Sequence, residues 1–444
     1  MDNVFSNRVL RNLIVPLVVE QILVMLVGIA DTMMISYAGE AAISGVALVD
    51  MVGYLVITVL AAVDTGGAVI VSQYLGSKDR EKANRSASQL VTVSFLFSLT
   101  LMLFCTLFHS IILKVLFGAV MPDVMAAAKT YFFITALSYP FLGLYNSSAA
   151  LYRSMKKTKV TMYVSLLMNL INIIGNAIGI FVFHAGVAGV AVPTLAARAI
   201  AAVIMSGLAF QSRNEISISW ENLLAWNREL VVKILKIAVP SGIENGLFAL
   251  GKVLVTSIVA MFGTVQIAAN GVANSVDQIA VLVVSAINLA IIPVVGQCVG
   301  AGDHDQAKKC TRKLMGVSYI ATGILGAAVI LLLPAILSLF ELSEETYRLT
   351  MLLIVLHNIL AFALHPTSFN LANSLRASGD VKVTMYIGIG SMIVFRLGTA
   401  VLFGVVCGLG VIGVWIAMGM DWLARSAAFA VRYRSGKWRK MKVI

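Results

Sequence analysis

Residues 16–39 read PLVVEQILVMLVGIADTMMISYAG, and residues 240–263 read PSGIENGLFALGKVLVTSIVAMFG. Set side by side, they match at Pro16 and Pro240, Glu20 and Glu244, and Gly39 and Gly263, an offset of 224 residues. The same offset carries Gln73, Gly76, Asp79 and Ala83 onto Gln297, Gly300, Asp303 and Ala307, and Gly186 and Gly189 onto Gly410 and Gly413. Later in each half, YRSMKKTKVTMY from Tyr152 is echoed by LRASGDVKVTMY from Leu375. The chain is one structural unit written twice.

Both stretches are apolar, and so is most of what surrounds them. Of 444 residues, 59% are hydrophobic and 12% charged, whereas a soluble domain carries about 25% charged residues. That excludes a cytosolic enzyme, a disordered chain and a disulfide-built scaffold. Cys105, Cys298, Cys310 and Cys407 show no paired or metal-ligand spacing. A bilayer core about 30 Å thick takes roughly 20 apolar residues per helical crossing. Apolar runs near 10–37, 46–76, 86–117, 124–152, 160–184, 187–211, 234–262, 269–299, 314–340, 347–376, 382–406 and 409–431 supply twelve crossings.

The expected fold is therefore an all-α integral membrane protein of twelve transmembrane helices in two six-helix lobes. The lobes cover 1–211 and 234–431, joined by an amphipathic cytoplasmic linker, 212–233, and followed by a basic tail, 432–444. Six is even, so both lobes enter from the same side, the parallel-repeat plan of several secondary transporters. The net charge of +12 would suggest nucleic acid in a soluble protein. Here it serves orientation: with both termini on one side, that side collects most of the Lys and Arg, and the other receives only Lys114, Lys129 and Arg348. The positive-inside rule then puts both termini in the cytoplasm.

Charges inside the spans are the candidates for chemistry, because an ionised group at the bilayer centre costs about 2.5–3.5 kcal/mol on insertion scales. The acids there are Glu20, Asp31, Asp50, Asp64, Glu244, Asp277 and Asp421; the bases are Arg198, Lys252, Arg396 and Arg425. Glu20 and Asp31 are eleven residues apart in the first span, which brings them within about 20° of one helical face. Such a carboxyl can bind and release a proton or, when ionised, ligate sodium. Glu20 serves equally well as a structural hydrogen-bond partner, since Glu244 repeats it, whereas the mirror of Asp31 is Val255.

In the fifth span Asn169, Asn172 and Asn176 stack on one face, either as cation ligands or as inter-helix glue; their mirrors are Met392, Phe395 and Thr399. Lys252, eight residues after Glu244, reads as its ion-pair partner before it reads as a substrate group. Asp50 and Asp277 sit near the outer ends of their spans and read as hydrated, while Asp64, followed by Thr65, Gly66 and Gly67, is the better cavity-facing charge. No Walker A loop and no H-E-x-x-H spacing occurs, and ASGD around Asp380 lies in a basic loop, so enzyme readings fare poorly.

This constellation resembles the multidrug and toxic compound extrusion (MATE) family of cation-coupled efflux transporters. The resemblance rests on the first-span run quoted above, GGAVIVSQYLG with SKDREKAN after it, PSGIENGLFALGK and GVAGVAVPT. It implies an antiporter, driven by protons or sodium, that exports lipophilic and often cationic compounds by alternating access. The partners implied are the bilayer and small amphipathic compounds, with no nucleic acid, no cofactor, no metal beyond sodium, and a monomeric chain. Asp31 matches the family's central cation-binding carboxylate, Asn172 and Thr194 match an Asn and a Thr near the same pocket, and Pro16 matches a proline proposed to permit helix bending. Asn176 stands where many members carry Asp, and the tenth span offers His357 and His365 where some members couple through a carboxylate. The seventh-span acid of one branch of the family would fall near Phe248, one turn from Glu244. A lipid-linked precursor flippase is the alternative; its cationic cavity would have to come from Lys252, Arg198 and Arg396.

Overall fold

Long apolar runs become helices because a bilayer offers no water to unpaired backbone groups, and a helix satisfies them internally. The computed structural model describes residues 5–118, 120–340 and 342–444. Through the first repeat run α1 (Asn7–Ser36), α2 (Glu40–Gly76), α3 (Arg80–Phe117), α4 (Pro122–Ala136), α5 (Tyr139–Ser154), α6 (Thr158–Ala177) and α7 (Ala188–Ala209). After the short α8 (Trp220–Leu224) come α9 (Arg228–Ala260), α10 (Thr264–Gly300), α11 (His304–Leu337), α12 (Glu344–Ala377), α13 (Val381–Gly390) and α14 (Gly410–Arg434). Among the described residues, ten helical segments are long and apolar enough to cross a membrane.

The two remaining spans fall short for local reasons. The fourth is broken between α4 and α5, where Pro140 enters the first turn of α5 and the Ser138 hydroxyl donates to the Thr135 carbonyl at 2.6 Å. The twelfth, α14, carries Asp421 and Arg425 in its middle. The fifth and eleventh spans end in π-helical turns, Ile178–Val182 and Val401–Val406, at repeat-equivalent places.

The repeat is visible down to its punctuation. Gly39 and Gly263 take φ of 100° and 92°, a conformation costly for any residue with a Cβ, and so turn the chain between the first two helices of each half. Asp79 caps α3 by accepting from the Lys82 N–H at 3.0 Å; Asp303 caps α11 by accepting from the Gln306 N–H at 2.8 Å. The Lys82 N–H bonded to Asp79 also holds that exposed carboxyl below its ordinary range.

Two compact units emerge, the first running to Gly242 and the second spanning Ile243–Val443. The division falls inside α9, later than the linker expected at 212–233. Asn227 starts α9 early by accepting from the Leu230 N–H at 3.1 Å, so the helix begins inside the expected linker. Its first turns then pack on α2, where a Cβ on Gly66 would lie 2.7 Å from the Ile234 carbonyl oxygen. The first unit's core includes Leu60, Leu113 and Phe132; that of the second includes Leu353, Trp415 and Trp422. Large apolar side chains such as Leu107, Val115 and Leu331 remain exposed, as lipid-facing residues do.

Candidate functional site

The first unit holds a cavity of about 300 Å³ lined by charged and amide side chains from α1, α2, α6 and α7. α1 supplies Asp31, α2 Asp50, α4 Tyr131, α6 Asn169 and Asn172, and α7 Thr194 and Arg198. On α6 the spacing of three and four residues aligns Asn169, Asn172 and Asn176, all buried, on one face. On α7, Thr194 and Arg198 are one turn apart and share a face.

A chain of hydrogen bonds ties these helices together. The Asn176 amide donates to Asp31 Oδ1 at 2.7 Å and to Asn172 Oδ1 at 3.3 Å. Asn172 in turn donates to the Thr194 hydroxyl at 2.9 Å, and Thr194 donates to the Val190 carbonyl at 2.8 Å. Asp31 is thus linked through two amides to the backbone of α7. The buried Asn176 Oδ1 and Asn169 Nδ2 are left without hydrogen-bond partners. Buried polar atoms of this kind need a partner, which a water or a ligand can supply.

The charges of the cavity can be counted. Asp50 interacts with Arg198, Tyr131 and Asp31. Arg198 also donates to the Ser138 hydroxyl at 2.7 Å. Two carboxylates against one guanidinium leave one negative charge when all are ionised, so a single cation neutralises the cavity. Among the described residues no group of three or more His, Cys, Asp or Glu could hold a metal ion.

The structure therefore brings Asp31, Asn172, Asn176 and Thr194 together, and it sends the other sequence candidates elsewhere. Glu20 is held by Arg153 at 3.1 Å and by the Thr161 hydroxyl at 3.2 Å. Asp64 is buried against α3, accepting from the Ser94 hydroxyl at 3.0 Å, and does not line this cavity. Glu244, expected to pair with Lys252, is instead taken by Arg376 at 2.6 Å and Arg425 at 3.3 Å, because those guanidiniums reach it from α12 and α14. Lys252 is exposed and lies near Arg396. Pro16 is buried inside α1. Sequence reasoning missed Tyr131, read Asp50 as hydrated, and took Arg198 only as a cationic-cavity residue of the flippase alternative. Of these, Arg198 carried a readable signal, its position one turn after Thr194.

Comparison with known proteins agrees with this architecture. The sequence model described as MatE matches residues 16–178 and again 240–402. The uncharacterized transporter YisQ of Bacillus subtilis is 30% identical over 449 residues, covering 98% of this chain and 95% of the relative. The probable multidrug resistance protein NorM of Thermotoga maritima is 26% identical, covering 99% and 94%. A crystal structure of MATE in complex with MaL6 superposes with a TM-score of 0.91 at 18% identity, covering 98% of this chain and 97% of that one, a likeness of fold. With both halves of the repeat matched and the fold shared, the chain belongs to the MatE family, whose members here are membrane transporters.

Proposed function

We propose that this protein is a cation-coupled antiporter that exports lipophilic, often cationic, compounds by alternating access, with a proton or sodium as the coupling ion. It works without a cofactor, as a monomer in the cell membrane, with both termini in the cytoplasm. The name of the Thermotoga relative, a probable multidrug resistance protein, supports the substrate class. The observation that carries the reading is the Asp31 carboxylate, hydrogen-bonded to Asn176 in a cavity that one cation neutralises.

The mechanism follows from that bond. A cation arriving at Asp31 cancels the charge that the Asn176 amide stabilises, so the 2.7 Å bond loses about half of its strength. Asn176 then redistributes its hydrogen bonds toward Asn172, and through Thr194 the change reaches α7. The face of α1 repacks against α6 and α7. A state with the cation bound and a state without it thereby differ in packing, and a substrate that binds one state better is moved by the ion gradient.

The test is efflux of a fluorescent organic cation from proteoliposomes, with proton and sodium gradients collapsed separately. Collapse of one gradient is expected to stop efflux by the wild type, and Asp31→Asn is expected to make efflux independent of both. Full gradient-driven efflux by a correctly inserted Asp31→Asn protein would sink the mechanism. Movement of lipid-linked or anionic compounds alone would favour the flippase alternative.

A further inference from the structure

After its sixth span each unit folds a segment of chain back over the start of its own third span. In the first unit the Arg80 guanidinium, at the start of α3, donates to the Asn214 carbonyl at 2.7 Å. In the second, Trp438 packs edge-on against His304, at the start of α11, with ring centroids 5.8 Å apart. The offset of 224 carries Arg80 onto His304 and Asn214 onto Trp438, so these are one contact made twice.

The second copy is firmly built. Gly436, with φ of 68°, turns the chain after α14. Trp438 is 1% exposed, stacks on Tyr433 at 5.1 Å and donates its indole N–H to the Tyr433 carbonyl at 3.0 Å. Arg439 reaches Asp305 at 3.3 Å and lies over the Trp438 ring. Residues 435–443 are thus a strap seated by an aromatic anchor rather than a loose basic tail.

The two straps differ in charge, and the difference is informative. Residues 211–219 of the first carry one Arg and one Glu; residues 435–443 of the second carry Lys437, Arg439, Lys440 and Lys442, and no acid. The first strap shows that the fold-back needs no net charge. Beside it, Lys82 and Arg85 are paired with Asp79 and Glu81 at 3.2 and 2.8 Å. Beside the second strap, α11 presents Lys308, Lys309 and Arg312, all exposed, while its nearby acids are committed: Asp303 caps the helix and Asp305 takes Arg439. Arg312 of α11 and Arg439 of the strap both lie within electrostatic reach of Tyr433.

We infer that the strap 435–443 and the first turns of α11 form a built binding surface for anionic phospholipid headgroups. The strap follows α14, the twelfth expected span, and packs on the first turn of α11, a candidate membrane span, so on this reading it sits at the level of the headgroups. Exposed lysines at that depth meet lipid phosphates before any soluble anion. Trp438 holds the strap so that Lys437, Lys440 and Lys442 face outward, without itself touching the lipid.

The full-length protein in detergent, titrated with dioctanoyl phosphatidylglycerol or dioctanoyl phosphatidylcholine and read by native mass spectrometry, tests this. Wild type is expected to prefer phosphatidylglycerol, and Lys437→Gln with Lys440→Gln and Lys442→Gln to reduce the preference by about fivefold for each lysine neutralised. Trp438→Ala, which keeps every charge, is expected to reduce it too, whereas Lys82→Gln with Arg85→Gln in the first unit leaves it unchanged. Equal binding of the two lipids by wild type overturns the proposal, as does loss of the preference in excess inorganic phosphate, which would mark a simple anion site. A Trp438→Ala protein that retains the full preference shows that charge alone suffices and overturns the built surface.

Discussion

The two units share a scaffold and differ in what they do with it. Each ties its first helix to the end of its fourth span by a buried Glu–Arg pair, Glu20 with Arg153 at 3.1 Å and Glu244 with Arg376 at 2.6 Å. Away from that tie the first unit opens a polar cavity around Asp31, and the second replaces its parts one by one. Val255 stands for Asp31, Asn274 for Asp50, Trp422 for Arg198, and Met392, Phe395 and Thr399 for the three asparagines. What the second unit buries instead is a network: Arg425 bridges Glu244 and Asp421, and Arg396 approaches Asp421 at 3.9 Å. Beside it, Asp277 faces His357 at 3.2 Å between Trp415 and Trp422. Both copies keep the Glu–Arg tie that holds their helices in place, and the first adds a cavity lined by acids and amides.

The largest effect that would sharpen this contrast is on stability. Glu244→Ala strands Arg376 and leaves Arg425 only its 3.9 Å contact with Asp421, and breaking a buried pair in this way costs about 3–5 kcal/mol. Glu20→Ala strands only Arg153, which retains some exposure, so its loss is expected to be smaller. Thermal unfolding of the two variants in detergent checks the order, and equal losses would contradict the claim that the second unit is the more heavily cross-linked. Asn172→Ala, which removes one link between Asp31 and Thr194, is expected to weaken gradient-driven efflux about tenfold. Its mirror, Phe395→Ala, is expected to leave coupling intact.

The smallest effects fall on the shared scaffold and should be alike. Asp79→Ala and Asp303→Ala each remove a helix cap worth about 1 kcal/mol. Because Asp79 titrates below its ordinary range when folded, its contribution is present above the usual carboxylate pKa of about 3.9 and lost as pH falls below it. Melting curves between mildly acidic and strongly acidic pH should show that loss in wild type and not in Asp79→Ala.

Much of this contrast can be read in the chain, because a period of 224 residues, 223 from Tyr152 through the fifth span, exposes each mirror position. Val255 opposite Asp31, and Phe395 opposite Asn172, already put the polar stripe in one half. Contacts between helices were harder to read. Arg153 and Arg376 sit inside the two echoed segments, yet nothing local says that they reach Glu20 and Glu244 across more than 130 residues. The partner chosen for Glu244 by proximity, Lys252 on the same helix, lost to guanidiniums from other helices for that reason. Asp50 is exposed, as its place near the end of its span suggested, but its neighbours Arg198 and Tyr131 come from α7 and α4, which its own span cannot reveal. The break in the fourth span was encoded by Pro140 but hidden by apolar residues on either side.

The central claim is that coupling resides in the first unit, at Asp31. Its most direct test is cation release from the purified protein on addition of an organic cation, measured with a proton-sensitive dye or a sodium electrode, for wild type, Asp31→Asn and Asp277→Asn. The account predicts release from wild type and Asp277→Asn and none from Asp31→Asn. Undiminished release from Asp31→Asn, or its loss in Asp277→Asn alone, would place the coupling site in the second unit and contradict the account.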